Sequence, residues 1–475
     1  MLTINRRTFL TATTAITAGS LIPSFSLHAA TPAFPTLVAM AAKVPLVGDR
    51  APATDIWGYG GTVPGPVLRL KQGKRLRIKV KNDLKEPTTV HWHGIRADNA
   101  MDGVPYLNQP PILPGETFIY DFKVQDAGTF WYHPHFNNSE QVGRGLAGAL
   151  IVDEAKPVKV DRDVVWVIDD WRLTTDGILP PFGQMMDASH GGRLGNVPTL
   201  NGEYRDEFPV RAGERIRLRL INVANARNFG LLFTGHNPWE IAIDGHPVTP
   251  RRIGDKPVIV TPGGRVDLVF DMTGKPGEAF PVTDVYSQRS SFTFTNLKYS
   301  DAPAVGEPSP EPPKRMADNP VAKPNLTKAT LHEMEFQGGA MGGLAAARYK
   351  GETLDLQKLA GMGLLWAING EVIPPMTAED TGQPMLTLKR GQTYRLRWRN
   401  STAFEHPIHL HGHSFHVIAR DGKTIDQPTL MDTVLIQPDE YVDVAFVADN
   451  PGDWALHCHV LEHADAGMMG YIRIA

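Results

Sequence analysis

The architecture of the chain follows from a twelve-residue stretch, Lys71-Gln-Gly-Lys-Arg-Leu-Arg-Ile-Lys-Val-Lys-Asn82. Two further stretches align with it without a gap, Arg211-Ala-Gly-Glu-Arg-Ile-Arg-Leu-Arg-Leu-Ile-Asn222 and Lys389-Arg-Gly-Gln-Thr-Tyr-Arg-Leu-Arg-Trp-Arg-Asn400. Each begins with a glycine-containing turn and continues with apolar and basic residues that alternate with a period of two. This is the pattern of a strand with one buried face, and we interpret the basic side as solvated rather than as an anion site. The chain therefore contains a threefold repeat.

Each repeat also contains a later turn, which begins at Pro114, Pro262 or Pro438 and precedes further alternating residues. Long helical periodicity is scarce, while 45 glycines and 39 prolines provide turns. The sequence therefore predicts an all-β protein with three Greek-key β-sandwich domains. The predicted domains are 34–155, 158–305 and 328–475, and a proline-rich linker occupies 306–327.

Composition limits the possible functions. The 475 residues are enough for two to four domains, and 42% hydrophobic with 21% charged residues is typical of a soluble globular protein. The formal charge of -3 excludes a general basic surface, so we expect no nucleic-acid partner. A single cysteine excludes an internal disulfide. Cys458 is therefore a buried filler, a nucleophile or a metal ligand.

The N-terminus predicts export. Asn5-Arg6-Arg7-Thr8-Phe9-Leu10 places twin arginines before a mildly apolar run that ends near Leu27, and alanine-rich sequence follows. We interpret 1–30 as a signal for the twin-arginine export machinery, which carries folded proteins to the periplasm. A membrane anchor is the weaker interpretation, because Thr and Ser interrupt the apolar run. We expect no stable membrane insertion after signal removal, and a monomer.

Eight histidines occupy matched positions in the first and third repeats. They form four His-x-His pairs, nine residues after the asparagine that ends each repeat stretch and nineteen residues after the later-turn proline. The eight are His91, His93, His133, His135, His409, His411, His457 and His459. Residues i and i+2 of a strand point to the same face, so two related domains can enclose a cluster of metal ions.

The middle repeat lacks these ligands. Its matching positions hold Leu231, Phe233, Pro281 and Thr283. The sequence therefore predicts that the second domain is a spacer, which could also form part of a substrate rim.

A second candidate site is specific to the third repeat. It consists of His406, Cys458, His463 and Met468, whose counterparts in the first repeat are Thr88, Pro134, Ser139 and Arg144. One Cys and two His with a weak axial Met are the ligands of a mononuclear blue copper site. The neighbouring Met469 is expected in the core. Strand alternation points Cys458 away from His457 and His459, which argues against a Cys/His nucleophile and joins the two metal sites through one short covalent path.

Four short motifs carry these residues: His91-Trp92-His93-Gly94, Trp131-Tyr132-His133-Pro134-His135, His406-Pro407-Ile408-His409-Leu410-His411-Gly412, and His457 to Met468. With the repeat, they resemble the three-domain multicopper oxidases, which include laccases and bacterial copper-efflux oxidases. The resemblance implies cupredoxin-like domains and four copper ions. It assigns His91 and His409 to type 2 copper, His93, His133, His135, His411, His457 and His459 to the type 3 pair, and His406, Cys458, His463 and Met468 to type 1 copper.

The resemblance also implies a reaction. A small reducing substrate would give up electrons one at a time at type 1 copper, and O2 would be reduced to water at the trinuclear cluster. Protons must reach that cluster, and Asp102 and Glu462 match family positions associated with proton delivery. The alternative for each is a surface or loop-capping acid. A non-enzymatic periplasmic copper-binding or assembly protein on the same scaffold is the alternative function, although scaffold-only relatives lose ligands and this chain keeps them.

The sequence leaves the reducing substrate open between phenols or aromatic amines and a metal ion such as Cu(I), Mn(II) or Fe(II). Met334, Met341 and Met362 are too few for a methionine-rich metal-oxidase insert, and ordinary packing or loop residues are the better interpretation. Candidate rim acids are Glu405, Asp432 and Asp439. The other histidines receive no ligand role: His413 is expected to be structural, His28 lies in the signal, and His190, His236, His246, His332 and His416 are expected in loops or strands.

Overall fold

The fold is built almost entirely from β-strands. The computed structural model describes residues 35–309, 311–373 and 376–475, and within them 32 strands form seven sheets. The predicted signal at 1–30 lies outside the described residues. No helix in the described part of the chain is long and apolar enough to cross a membrane.

The first sheet pair lies within 36–153. Its sheets have the strand orders β2-β1-β4-β6 and β3-β8-β7-β5, and residues from both sheets share one hydrophobic core. Its elements are β1 (Thr36–Val44), β2 (Thr54–Tyr59), β3 (Gly65–Lys71), β4 (Arg75–Asn82), β5 (His91–His93), β6 (Thr117–Lys123), β7 (Gly128–His133), α1 (Asn138–Gly143) and β8 (Gly148–Asp153).

The second sheet pair lies within 162–299. Its sheets have the orders β10-β9-β12-β17-β14-β15 and β11-β19-β18-β13-β16, again around one core. Its elements are β9 (Arg162–Trp171), α2 (Met185–Ser189), β10 (Val197–Leu200), β11 (Glu207–Val210), β12 (Arg215–Asn222), β13 (Phe229–Phe233), β14 (Trp239–Ile243), β15 (His246–Arg252), β16 (Val258–Val260), β17 (Arg265–Asp271), β18 (Ala279–Asp284) and β19 (Phe292–Tyr299).

The third sheet pair lies within 330–474. Its sheets have the orders β23-β20-β25-β30-β27-β28 and β24-β32-β31-β26-β29, beside a two-stranded sheet β21-β22. Its elements are β20 (Thr330–Gly338), β21 (Ala346–Tyr349), β22 (Glu352–Asp355), α3 (Leu356–Gly361), β23 (Trp366–Ile368), β24 (Leu386–Leu388), β25 (Thr393–Asn400), β26 (His406–Leu410), β27 (Phe415–Arg420), β28 (Lys423–Met431), β29 (Thr433–Ile436), β30 (Tyr441–Val447), β31 (Gly452–Cys458), α4 (Leu461–Asp465) and β32 (Met469–Ile474).

The structure confirms the all-β prediction and explains the repeat. Strands β4, β12 and β25 are the three repeat stretches, and each pairs with one parallel and one antiparallel neighbour. Each ends at a buried asparagine whose amide donates to backbone carbonyl groups of the following loops, at Asn82, Asn222 and Asn400. These bonds satisfy backbone oxygens that would otherwise be buried without partners. This explains why each repeat stretch ends in asparagine. The predicted domain boundaries themselves stay a prediction.

The interpretation of the basic repeat face as solvated is wrong for the middle repeat. Arg217 and Arg219 on β12 are fully buried and pair with Asp267, while Arg219 also donates to Thr129 on β7 of the first sheet pair. The face of β12 is covered because the first and second sheet pairs pack against each other there, with a small apolar core beside it. Burial of an arginine charge is costly, and here neighbouring carboxylates offset that cost by pairing with the guanidinium groups.

Candidate metal centres

Four strands bring the eight predicted histidines together. In the first sheet pair β5 lies beside β7, so that His91 is opposite His133, and in the third pair β26 lies beside β31, so that His409 is opposite His457. All eight side chains are buried. Their ring nitrogens form three overlapping donor groups, each with its ligand atoms within 4.8 Å of one another: His91, His409, His411; His91, His93, His133; and His135, His411, His457. His459 joins them, with its ring centroid 5.0 Å from that of His93.

One ring nitrogen of most of these histidines is held by an acceptor. His91 Nδ1 donates to the Asp102 carbonyl oxygen and His409 Nδ1 to that of Asp432, both at 2.8 Å. His411 Nδ1 donates to Asp102 Oδ2 at 2.8 Å. His133 and His457 donate to nearby backbone carbonyl groups at 2.9 Å. These bonds fix the tautomer and leave the other ring nitrogen with a free lone pair.

The remaining nitrogens fit a metal. Within the described residues, buried ring nitrogens of six of the eight histidines have no hydrogen-bond partner; the six are His91, His93, His133, His135, His409 and His459. His411 Nε2 faces His457 Nε2 at 3.1 Å, although Nδ1 of each ring is already a donor. Two lone pairs that face each other in a dry interior are unfavourable unless a cation lies between them. The donor set therefore suits a cluster of metal ions.

Burial also sets the protonation state. It lowers the pKa of seven of these histidines, and neighbouring imidazoles lower several of them further; the seven are His93, His133, His135, His409, His411, His457 (to about 3) and His459. These seven imidazoles are therefore neutral at physiological pH. Neutral imidazole is the form that binds metal.

The predicted mononuclear site is also assembled. His406 Nδ1 lies 3.4 Å and His463 Nδ1 lies 3.7 Å from Cys458 Sγ, and the two nitrogens are 3.2 Å apart. His463 Nε2 donates to the His190 carbonyl oxygen at 2.5 Å, so its Nδ1 carries a lone pair toward the cysteine. All three donors are fully buried, and burial raises the pKa of the Cys458 thiol. Metal binding must therefore displace the thiol proton.

Met468 is fully buried in the same core, and its backbone is tied to the site on both sides. Its carbonyl oxygen accepts from Cys458 N and its amide donates to the His463 carbonyl oxygen. Adjacent residues of the last copper motif thus serve different centres. Cys458 belongs to the mononuclear donor group, while its neighbours His457 and His459 belong to the cluster, as strand alternation predicts.

The two predicted acids have different places. Asp102 is buried among the cluster histidines, and its carboxylate accepts from His411. Glu462 is buried near the start of α4. Its carboxylate accepts from Asn225 Nδ2 at 2.7 Å and Arg193 N at 3.1 Å, both of the second sheet pair. Burial raises the pKa of Glu462 to about 7. Both proton-delivery roles stay predictions.

Several other expectations need correction. Asp432 is not a rim acid but a fully buried carboxylate between His93 and Arg265. Burial raises its pKa, but the Arg265 guanidinium and bonds from His409 and His93 outweigh this, so that the pKa lies well below its usual range. Asp439 lies in an exposed turn, whereas Glu405 accepts from Tyr286 Oη at 2.6 Å beside a cavity.

The remaining predicted residues divide between core and surface. Leu231 and Phe233 lie in the core, which agrees with the loss of ligands in the middle repeat. Met334 is buried in the core, whereas Met341 (81% exposed) and Met362 (46% exposed) lie in surface turns, which agrees with the interpretation as packing or loop residues. Met469 is half-buried and lines a cavity beside His135. His413 is buried against Trp454, as expected of a structural residue, and His236, His246, His332 and His416 lie in strands or turns.

Sequence reasoning gave His190 no role, yet its carbonyl oxygen holds His463, and the Trp366 ring packs at a tilt against the His463 ring with centroids 4.2 Å apart. Trp366 Nε1 in turn donates to the Ala188 carbonyl oxygen of α2. A segment of the second sheet pair therefore covers the mononuclear site. No spacing pattern identifies a backbone carbonyl as a partner, so the sequence carried no signal for it.

Two cavities adjoin the centres. One of about 590 Å³ lies beside the cluster and is lined by Val104, Tyr106, His135, Phe136, Asp465 and Met469, among others. Another of about 470 Å³ lies beside the mononuclear site, with Asp284, Tyr286, Phe404, Glu405 and Val460 in its lining. Val460 N is 3.4 Å from Cys458 Sγ, so the wall of the second cavity is thin at this point.

Comparison with known proteins agrees with this geometry. Three sequence profiles described as multicopper oxidase match residues 42–157, 177–298 and 356–475. The chain is 30% identical to the multicopper oxidase MmcO of Mycobacterium tuberculosis, over 91% of this chain and 85% of the relative. It is 30% identical to laccase-1 of Fomitopsis schrenkii, over 86% and 81%. The crystal structure of a multi-copper oxidase from Pseudomonas thermotolerans superimposes with a TM-score of 0.82 at 35% identity, covering 93% of this chain and 98% of that one.

Proposed function

Because the chain belongs to the multicopper oxidase family, whose members are oxidoreductases that use O2, we propose that it binds four copper ions at the two centres. His406, Cys458, His463 and Met468 hold the type 1 ion. His91 and His409 hold type 2, and the type 3 pair is held by His93, His133, His135, His411, His457 and His459. The observation that supports the cluster is the set of buried ring nitrogens that have no hydrogen-bond partner within the described residues, and the mononuclear site is supported by the buried His406, Cys458 and His463 donor group.

Bound copper supplies the one-electron chemistry that takes electrons from a reducing substrate and delivers them to O2. The protein contributes a dry site and a path. Burial keeps water away from the eight imidazoles, and hydrogen bonds to backbone carbonyl groups hold the rings of His91, His133, His409 and His457 at one orientation. The backbone from Cys458 to His457 and His459 spans the two centres, so an electron needs to cross only one or two residues.

We place the reducing substrate in the cavity of about 470 Å³ beside Val460. Phe404 offers an aromatic face, and Glu405 offers a carboxylate that already accepts from Tyr286 Oη and Asn228 Nδ2. A phenol or aromatic amine fits this chemistry, because the ring packs on Phe404 while its polar group meets Glu405. The substrate class is therefore a small aromatic reductant.

A metal-ion substrate is the second candidate. It is supported by exposed thioethers on the cover of the mononuclear site, at Met185 (49% exposed) and Met186 (65%) of α2 and at Met341 (81%). The amide of Ala340, next to Met341, donates to the Ser189 carbonyl oxygen of α2, so these segments are in contact. Thioethers favour soft ions such as Cu(I) over Mn(II) or Fe(II).

Oxygen and protons reach the cluster separately from the substrate in this proposal. The cavity of about 590 Å³ reaches His135 and gives O2 a route inward. The Asp102 carboxylate contacts His411 and lies 3.3 Å from His91 Nδ1, so it can exchange protons at the cluster. Glu462 is proposed as a second proton donor on the side of α4. Of the two, Asp102 is the acid with a hydrogen bond to a cluster histidine among the described residues.

We also propose that the twin-arginine signal at 1–30 exports the folded protein to the periplasm as a monomer. Replacement of Arg6 and Arg7 by lysine should retain the protein in the cytoplasm, as measured by cell fractionation. Periplasmic recovery of the double variant would contradict this route.

Copper analysis with a visible spectrum tests the function. We expect about four copper ions per chain, an intense blue thiolate band, and O2 uptake with a substituted phenol. Uptake should be compared with Cu(I), Mn(II) and Fe(II) under the same conditions, and uptake with Cu(I) alone would favour the thioether cover over the aromatic cavity. Copper binding without uptake on any substrate would instead support a non-enzymatic copper-binding or assembly protein.

A further inference from the structure

The second sheet pair reaches the histidine cluster through one side chain. Arg265, the first residue of β17, is fully buried and donates to both carboxylate oxygens of Asp432, from Nη1 at 2.7 Å and Nη2 at 2.6 Å. Its Nε donates to the carbonyl oxygen of Thr129 on β7 at 3.1 Å. Asp432 lies between β28 and β29 of the third sheet pair. One guanidinium therefore joins all three sheet pairs.

Asp432 in turn holds two cluster histidines. Its Oδ1 accepts from His93 Nε2 at 3.1 Å, and its carbonyl oxygen accepts from His409 Nδ1 at 2.8 Å. Thr433 Oγ1 lies 3.1 Å from both of these ring nitrogens and donates to Asp432 Oδ1. The two rings stack with centroids 3.8 Å apart. The orientation of both imidazoles therefore depends on where the Asp432 carboxylate and its backbone lie.

Asp244, also of the second sheet pair, fixes that backbone. Its Oδ2 accepts from the amides of Asp432 and Thr433, both at 3.2 Å, while its Oδ1 accepts from Arg265 N at 3.0 Å. A two-point attachment of this kind leaves the Asp432 loop little freedom to rotate. The second sheet pair thus controls both the side chain and the main chain of Asp432.

Gly94, which follows His93, packs directly against the Arg265–Asp432 ion pair. Its φ of +83° suits glycine, and a β-carbon there would lie 2.3 Å from Arg265 Nη2 and 2.7 Å from Asp432 Oδ2. The strand that carries His93 can therefore approach the ion pair only without a side chain at this position.

We propose that Arg265, supported by Asp244, is a positioning residue of the trinuclear centre, which orients His93 and His409 through Asp432. The inference rests on the copper assignment proposed above, and it gives the middle domain a part in the site beyond that of a spacer. Neither Arg265 nor Asp244 is proposed as a copper ligand, because both act through Asp432. Partners of this kind typically change metal affinity or activity about 10- to 100-fold when they are lost.

The test compares Arg265→Met and Arg265→Lys with the parent enzyme and with Arg215→Met. Arg215 on β12 makes a comparable ion pair with Asp271 on β17, but the described residues show no bond from Arg215 to a cluster histidine or to Asp432. The measurements are copper content, the blue absorption of type 1 copper, the electron paramagnetic resonance signal of type 2 copper, and turnover.

We expect Arg265→Met to keep the blue absorption, to change or lose the type 2 signal, and to reduce kcat about 10- to 100-fold with KM for the reducing substrate unchanged. Arg265→Lys keeps the charge and should restore part of the type 2 signal, whereas Arg215→Met should match the parent in all four measurements.

A parent-like type 2 signal and copper content in Arg265→Met would overturn the positioning role. So would loss of the blue band together with the type 2 signal in both Arg265 variants, because that indicates general damage. If Arg265→Met does not fold, Arg265→Lys decides alone, and a type 2 signal identical to that of the parent contradicts the proposal. A parent enzyme without blue copper would instead contradict the proposed function itself.

Discussion

The mononuclear centre takes His406, Cys458 and His463 from a single sheet pair, whereas the histidine cluster takes four imidazoles from each of two sheet pairs. The donors of the first lie on β26, β31 and α4, and the second sheet pair contributes the His190 carbonyl oxygen that holds the His463 ring. The second exists only when the first and third sheet pairs dock, and Asp432 with its partners from the second pair must also be in place. The cluster is therefore the centre that depends on assembly of the whole chain.

The two centres also differ in what holds their rings. In the cluster, the acceptors are mostly backbone carbonyl groups and two buried carboxylates, Asp102 and Asp432. In the mononuclear centre, His406 Nε2 lies 2.8 Å from Thr402 Oγ1, and His463 Nε2 donates to the His190 carbonyl oxygen. Carboxylates raise the basicity of the imidazole that they hold, and neutral acceptors do so less. Substitutions at the two centres should therefore be separable.

Cys458→Ser should have the largest effect. In the proposed copper site the thiolate would give the mononuclear centre its colour and its path to the cluster, and serine is a poor ligand for copper. We expect complete loss of the blue absorption and of substrate oxidation, while the type 2 signal and the cluster copper remain. Visible and paramagnetic resonance spectra of the same sample measure both centres. A blue variant, or one that also loses the cluster copper, would show that the centres are not separable.

His409→Ala should give the opposite result. His409 belongs to the third sheet pair. It lies in one donor group with His411 of the same pair and His91 of the first pair. We expect the variant to stay blue, to bleach when the reducing substrate is added, and to fail to recover its colour in air. His332→Ala, a half-buried histidine on β20 outside the centres, is the matched control. Recovery of the colour in air at the parent rate would contradict the role of His409.

The sequence predicted the fold and the clustering of the eight histidines because both follow from a repeat. Strand alternation and constant offsets place His91 and His409 at equivalent points, whatever the loops do. The acceptors that hold the rings could not be predicted in the same way. Asp432 and His190 lie in connections between elements, and which carbonyl or carboxylate meets a ring depends on how the sheet pairs dock.

Arg265 was hidden for a different reason. Its sequence neighbours, Pro262-Gly-Gly264, predict an ordinary turn before a strand, and one arginine among 48 basic residues carries no signal of burial. Only the contact between the sheet pairs shows that it is fully buried. The same holds for Arg217 and Arg219, which alternation alone predicts to be solvated.

Asp102→Asn should affect the cluster and spare the mononuclear centre. The carboxylate accepts from His411 at 2.8 Å, and asparagine keeps the shape but removes the charge. We expect O2 uptake to fall about 10- to 100-fold with the blue absorption unchanged. Asp98→Asn, in the same loop but exposed, is the control and should match the parent. An Asp102→Asn enzyme with full turnover would leave the residue only a loop-capping role.

Glu462→Gln should have the smallest effect, because the described residues show no hydrogen bond from Glu462 to a histidine of either centre. Its carboxylate accepts from Asn225 Nδ2 and the Arg193 amide, and glutamine retains an acceptor for one of them. If Glu462 supplies protons, O2 uptake should slow a few-fold and its solvent isotope effect should rise, since a proton must come from a poorer donor. The blue absorption should not change. Glu440→Gln, a buried acid that pairs with Arg420 instead, is the matched control. Unchanged uptake and isotope effect in Glu462→Gln would reduce Glu462 to a contact between α4 and the second sheet pair, and would leave Asp102 as the acid of the cluster.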